Sequence, residues 1–455
     1  MNRWVTAQMT GVTGALGSTS TRAALVGAVC IAVLSLALTL PSQVLRWAQS
    51  PPALGSDAQD YDHLALNLAR GRGFSYCWSD PEWRAPYKRA EPTASDWQLS
   101  FQGPCIPTAR RAPGYPAALA AVYWVWGRSF MAGRALGAVA LAMAGAIGVF
   151  LAVRGGGLAA GVPMTLCFLL DGQLQHCIGG LRAEPMASLA VMAVLAAHAA
   201  LVRDPRYPTG ILAGALLGLL VLVRQQFILL WVIGICLAAF CVVGSRAPRR
   251  FLLAYASAAL LTLMPWCLRN CYVLDALMPL GTQGGHVLAT KFVEDKIGNG
   301  AWDPEQAARL WAKRTGRPRG YRYGALAREF RTSLAVERDL AVAGQEAARA
   351  WLGRNWRLVP AVAFVTLRAH ARGYGWIGLL ALAWGVVALA LPETRRVATL
   401  GFVIIGTTAL SVALTVESNG RYSAPVRPVA YLIGSLGLAA STSRLRRAYG
   451  QAAPC

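Results

Sequence analysis

Long apolar runs separated by short basic turns, and interrupted twice by long polar stretches, set the pattern of this chain. A bilayer-spanning helix needs about 20 mostly apolar residues. The runs that approach that length are Ala24–Leu40, Met131–Val153, Leu158–Leu174, Pro185–Val202, Thr209–Val223, Gln226–Val243, Phe251–Leu268, Tyr374–Leu391, Val397–Val416 and Val426–Ala440. They predict an all-α polytopic membrane protein with about ten transmembrane helices. The first run is longer than a signal-peptide core and no small-x-small cleavage site follows it, so it reads as an uncleaved span.

Short loops such as VRGGG, VRDPRYPTG, GSRAPRR and PETRR, with the tail SRLRRAYGQ, carry the basic residues and fall on one side of the alternation. The positive-inside rule puts that side, and both termini, in the cytoplasm. The two long polar segments, Pro41–Gly127 and Asn270–Gly373, then lie outside. Within them DHLALNLARG reads as a short surface helix ending at Gly71, with Asp60 and Asp62 as solvated positions. PGYPAALAAVYWVWG suits a helix lying in the membrane interface, where Tyr and Trp settle. DPEQAARLWAKR has Asp303 as N-cap and Pro304 at the first helical position, and SLAVERDLAVAGQEAARAWLGRNW reads as a longer amphipathic helix. The chain is one membrane domain with structured external loops.

Composition agrees. Of 455 residues 55% are hydrophobic and 14% charged, with a mean hydropathy of +0.42, against about 25% charged in soluble proteins. The formal charge of +23 invites a nucleic-acid reading, but no soluble basic domain is present to carry one. Between spans, Arg and Lys act as topology determinants and lipid contacts. The ten cysteines follow no metal-ligand spacing. Most, such as Cys30, Cys167, Cys236 and Cys241, sit in apolar runs as small hydrophobes. Cys77 and Cys105 share the first external segment and can pair if that side is oxidising, which spacing does not decide.

The motif order resembles that of the GT-C glycosyltransferases, in the branch that takes a sugar from a polyprenyl-phosphate carrier. That branch includes aminoarabinose transferases of lipid A and protein mannosyltransferases. The pieces that carry the resemblance are SDAQDYDHLALNLARGRGF, RRAPGYPAALAAVYWVWG, GRALGAVALAMAG, LRAEPMASLAVMAVLAA, GLLVLVRQQFILL, PWCLRNCYVLDALMPLGTQGGHVL and ESNGRYSAPVRPVAYL. The resemblance implies a GT-C fold with a catalytic aspartate in the first external loop, four residues before a tyrosine. Asp57, four before Tyr61, is the match. It also implies an inverting transfer from a polyprenyl-phosphate-linked sugar to a lipid, glycan or protein acceptor at the outer face of the cytoplasmic (inner) membrane. The Ala- and Arg-rich usage suggests a high-GC bacterium, whose outer face is periplasmic.

That chemistry requires a carboxylate to take a proton from the acceptor and cations to meet the departing phosphate. Asp57 is the expected general base, although an aspartate there also complements a helix dipole. Arg111, Arg269 and Arg421 are expected outside, where the positive-inside rule does not call for them, and are candidates for the phosphate. Each also reads as an arginine snorkelling to headgroups. Tyr115 and Tyr422 can bind phosphate or sugar, or belong to the aromatic belt. Glu184 and Asp171 are the candidates for a second acidic residue, around which a divalent metal such as Mg or Mn would fit. Membrane lipids are expected partners and nucleic acid is not. Rival readings are a transporter or flippase of lipid-linked sugars, a non-catalytic assembly subunit, and a GT-C oligosaccharide ligase. The first would normally show internal repeats, which this chain lacks.

Overall fold

The computed structural model describes residues 18–54, 56–90, 103–203, 206–243, 249–291, 303–318, 320–415 and 420–451. Every predicted apolar run becomes a helix: Ser18–Thr39, Phe130–Gly156, Leu158–Leu169, Glu184–Arg203, Tyr207–Val223, Ile228–Val243, Arg249–Leu274, Gly375–Ala390, Arg395–Thr415 and Arg427–Gln451. Among the described residues, five helices are each long and apolar enough to cross a membrane: Thr21–Leu45, Phe130–Gly156, Glu184–Leu201, Phe251–Leu274 and Arg395–Ala413. Leu158–Leu169, Tyr207–Val223 and Gln225–Cys236 are apolar but shorter.

Phe130–Gly156 is central, packed against Ser18–Thr39, Leu158–Leu169, Glu184–Arg203 and Arg427–Gln451. Glycines set the closest approaches. A Cβ on Gly214 would lie 2.2 Å from the carbonyl oxygen of Tyr255, so Tyr207–Val223 meets Arg249–Leu274 backbone to backbone. Gly437 does the same on Arg427–Gln451, where a Cβ would lie 2.0 Å from the Trp384 carbonyl oxygen. Small residues serve helix pairs in lipid this way because tail contacts offer no hydrophobic gain and close packing must hold the pair.

The two long polar segments fold into helical layers. The first comprises Asp57–Ala69, Pro81–Ala90 and Gly114–Trp126, with a two-stranded antiparallel ribbon pairing Ser75 with Pro107 and Tyr76 with Ile106. Cys77 and Cys105 are joined in a disulfide beside that ribbon. The second comprises Gln283–Lys291, Pro304–Thr315, Tyr323–Thr332 and Leu334–Asn355. Asp303 caps its helix, accepting from the Glu305 amide at 3.0 Å. A further apolar helix, Val359–Arg372, follows and packs on Arg395–Thr415. The sequence did not single it out because arginines flank it closely.

One expectation is overturned. Asp57–Ala69 is not a surface helix: Leu64, Ala65, Leu66, Gln59, His63 and Asn67 are buried, and Asp60 and Asp62 are both 0% exposed. They are not solvated, because cations and phenols converge on them. Asp62 accepts from the Tyr87 and Tyr123 hydroxyls at 2.9 Å each and from Arg128 at 3.1 and 2.5 Å. A buried carboxylate survives only when its lone pairs are met in this way.

Candidate active site

Ser56 caps the helix Asp57–Ala69 through its side chain, which accepts from the Gln59 amide. Asp57 and Asp60 then fall one turn apart on one face. Arg111, two residues before Pro113 at the head of Gly114–Trp126, reaches both. Its Nη2 is 2.6 Å from Asp57 Oδ1 and 2.6 Å from Asp60 Oδ2, and its Nε is 3.0 Å from Asp60 Oδ2. The other oxygen of Asp60 accepts from Arg331 Nη1 at 3.1 Å. Arg331 belongs to the second polar layer, in the helix Tyr323–Thr332, and its carbonyl accepts from Trp78 Nε1 at 2.8 Å, so Asp60 knits the two layers together. Burial alone would raise the pKa of Asp60, but Arg331 and Arg111 outweigh it and hold the carboxyl below the usual range.

The Asp57 side chain stays 26% exposed, on the boundary between two cavities. One is a polar chamber of about 320 Å³, lined by Asp57, Arg110, Arg111, Arg182 and Glu184 among others. The other is a groove of about 650 Å³ with a mainly apolar wall that includes Val223, Leu280, Leu288, Trp351 and Val362. They share Asp57, Tyr61, Gln283, Val287 and Tyr422. Tyr61 is held edge-on to Tyr115 at 5.1 Å.

Glu184 heads the helix Glu184–Arg203 and pairs with Arg224 at 3.1 Å. The Arg224 guanidinium carbon lies 5.2 Å from the centre of the Tyr422 ring. Asp57, Arg111, Glu184 and Tyr422 are therefore brought to one place. The other expected residues are not. Tyr115 is buried behind Tyr61 and lines neither cavity. Arg269 donates to the carbonyls of Thr108 at 2.6 Å and Phe74 at 3.0 Å, bracing the strand that leads to Arg111, and also lines neither cavity. Asp171 caps the helix Gly172–Gly179, accepts from Arg427 and Tyr431 at 2.6 Å each and lines neither cavity. The Arg421 side chain lies outside the described residues.

Sequence reasoning passed over Tyr61, Arg110, Arg182, Arg224 and Arg331 as site residues. Arg224 carried a readable signal: it interrupts LLVLVRQQFILL, where a charge is costly and usually functional. Arg331 carried none, since its partner is 271 residues away.

Asp57 and Glu184 each face a guanidinium through one carboxylate oxygen. Among the described residues no three acidic, histidine or cysteine side chains cluster as a ligand set.

No protein-family model and no curated protein matches the sequence. Solved structures do. The archaeal oligosaccharyltransferase AglB from Archaeoglobus fulgidus, in complex with an inhibitory peptide and a dolichol-phosphate, superposes with a TM-score of 0.50 at 14% identity. The match covers 95% of this chain, which spans 52% of AglB. The fold is of the GT-C type. ArnT from Cupriavidus metallidurans bound to undecaprenyl phosphate aligns over 92% of this chain and 79% of its own, at 15% identity and a TM-score of 0.41. In this fold the helical layers built from the two long polar segments pack on the helix bundle, with Asp57 where the chamber and the groove meet.

Proposed function

We propose that the protein transfers a sugar from a polyprenyl-phosphate carrier to a lipid, glycan or protein acceptor at the outer face of the cytoplasmic membrane. One observation carries this reading: a carboxylate at the junction of a polar chamber and an apolar groove. A polyprenyl donor is itself such a junction, with an apolar tail, a phosphate and a sugar in series. With the tail along the groove, the phosphate and anomeric carbon fall beside Asp57.

The reaction then runs as an inverting displacement. The acceptor hydroxyl or amine gives its proton to the Asp57 carboxylate as its oxygen or nitrogen bonds to the anomeric carbon. The bond from that carbon to the phosphate oxygen breaks, and the phosphate leaves with the electron pair. Arg111 fixes the direction of the Asp57 carboxyl through its 2.6 Å contact. The clamp on the carrier phosphate is reassigned within the candidates: Arg269 serves the backbone, which leaves Arg111 and Arg421, together with Arg224 on the groove wall. Preorganised cations in a water-poor site stabilise a leaving phosphate far better than solvent does. Glu184, held by Arg224, is the second acidic residue facing the chamber.

The test is turnover of a radiolabelled polyprenyl-phosphate sugar by the purified protein in nanodiscs. Asp57→Asn is expected to lower the rate about 10²–10⁴-fold with binding of polyprenyl phosphate retained. Wild-type turnover in that variant would remove Asp57 from the chemistry. Transport of the intact donor without bond cleavage would favour a carrier instead.

A further inference from the structure

The chamber holds more positive charge than the proposed transfer uses. Of the carboxylates that line or back it, Asp57 and Asp60 take Arg111 and Arg331 and Glu184 takes Arg224, while Glu337 accepts from Thr108, the Ala109 amide and Thr282 and meets Arg110 only through its field. Arg110 and Arg182 line the same chamber. Among the described residues, neither side chain has a hydrogen-bond or ion-pair partner. Arg110 Nη1 is shut away from solvent and, among the described residues, has no hydrogen-bond partner.

Both guanidiniums are nonetheless fixed. Arg110 lies over the Phe330 ring at 4.5 Å, which sets its plane without neutralising its charge. Arg182 folds back over Gly180, where a Cβ would come within 2.9 Å of its Nε, so the missing side chain makes room for it. Both arginines are half-buried, so each can meet a ligand in the chamber, and an anion there would complete the Nη1 of Arg110.

A third group senses the same excess. His286 lines the chamber, is 8% exposed, and has its Nε2 3.0 Å from the Glu337 carbonyl oxygen. Burial first, then Arg110, with Arg111 and Arg331 adding, pushes its pKa down to about 3. The ring therefore adds no positive charge of its own.

The position of the pair separates it from the carrier phosphate. Arg110, Arg111 and Arg182 line the chamber and not the groove, whereas Arg224 lines the groove and not the chamber; of the three, Arg111 is held by Asp57 and Asp60, so Arg110 and Arg182 remain for a ligand away from the lipid. With the lipid tail in the groove, the two arginines lie on the far side of Asp57. We propose that Arg110 and Arg182 form a second anion site, which takes a phosphate or carboxylate on the polar ligand sharing the chamber with Asp57. This rests on the carrier reading for the side of Asp57 given to the lipid, and makes the chamber selective for an acidic ligand. Guanidinium forks suit both oxyanions, and their spacing on two different elements suits one group held from two directions.

The experiment is native mass spectrometry and thermal-shift titration of the full-length protein in nanodiscs. Its probes are glucose 6-phosphate, glucuronate and neutral glucose, each with and without polyprenyl phosphate. At least one of the two acidic probes is expected to bind together with polyprenyl phosphate, and glucose is not. Arg110→Gln and Arg182→Gln should each weaken the acidic probe roughly ten- to a hundredfold, the loss typical of a charged hydrogen bond, and leave polyprenyl phosphate unchanged. Arg110→Lys and Arg182→Lys, which keep the charge and the fold, should lose less. Displacement of the acidic probe by polyprenyl phosphate, or equal loss of both ligands in the variants, would make the pair the carrier clamp and overturn the proposal. So would absence of any acidic-probe binding to the wild type. If the wild type holds the acidic probe but not polyprenyl phosphate, the pair stands as an anion site and the carrier reading fails.

Discussion

Asp60 accepts two guanidiniums at full burial, and it separates structural from chemical carboxylates in this chain. Removing one partner of a buried pair strands the other charges, at a cost of about 3–5 kcal/mol. Asp60→Asn is therefore expected to lower the melting temperature in detergent substantially, whereas Asp57→Asn, at the chamber edge, should change it little. The pH dependence follows from the depressed pKa of Asp60. Its contribution is fully present above the unfolded aspartate value, near 3.8, and is lost as pH falls through the lower folded value. Acid unfolding of the wild type should thus show a component below about pH 4 that Asp60→Asn lacks; an identical acid limb in both would refute the assignment. The sequence hid this division. In SDAQDYDHLALN three aspartates look alike, and what distinguishes them is the arrival of Arg111, Arg128 and Arg331 from 51 to 271 residues away.

Elements were more legible than residues. Apolar runs of bilayer length declare themselves locally, and each of the ten became a helix. Asp303 declared its cap in the same local way. Two things were not legible: the helix Val359–Arg372, disguised by its arginines, and the burial of Asp57–Ala69, which depends on a roof of Trp83, Tyr87 and Tyr123 supplied by other helices. The disulfide is the strongest tie in the first layer, since it closes a segment with a sequence separation of 28. A loop of that size corresponds to about 3–4 kcal/mol in the chain-entropy account. Cys77→Ser with Cys105→Ser, or reductant on the wild type, is expected to lower the melting temperature and weaken turnover together. The ribbon it braces leads directly to Thr108, Arg110 and Arg111. Retained stability under full reduction would assign that bracing to Arg269 alone.

At the scale of the whole molecule, orientation decides what the site can meet. From the basic short loops Ser443 is expected inside and Gly316 outside. A single cysteine at Gly316 is expected to react with a membrane-impermeant thiol reagent in intact spheroplasts, and one at Ser443 only after permeabilisation; the reverse pattern would turn the chamber toward the cytoplasm.

The helix Gly114–Trp126 links this orientation to the chemistry. Its first turn holds Tyr115, which backs Tyr61 at the chamber wall, and its last turn presents Trp124 and Trp126, 77% and 68% exposed. Rings of this kind settle at the headgroup level. Thirteen residues at 1.5 Å each make a rod of about 20 Å with one end floating in the lipid interface and the other gripping the reaction centre. The rod is a depth gauge. On the proposed orientation, bilayers of different thickness are expected to tilt it or lift it, so that lipid composition would set how far a carrier's headgroup travels to reach Asp57.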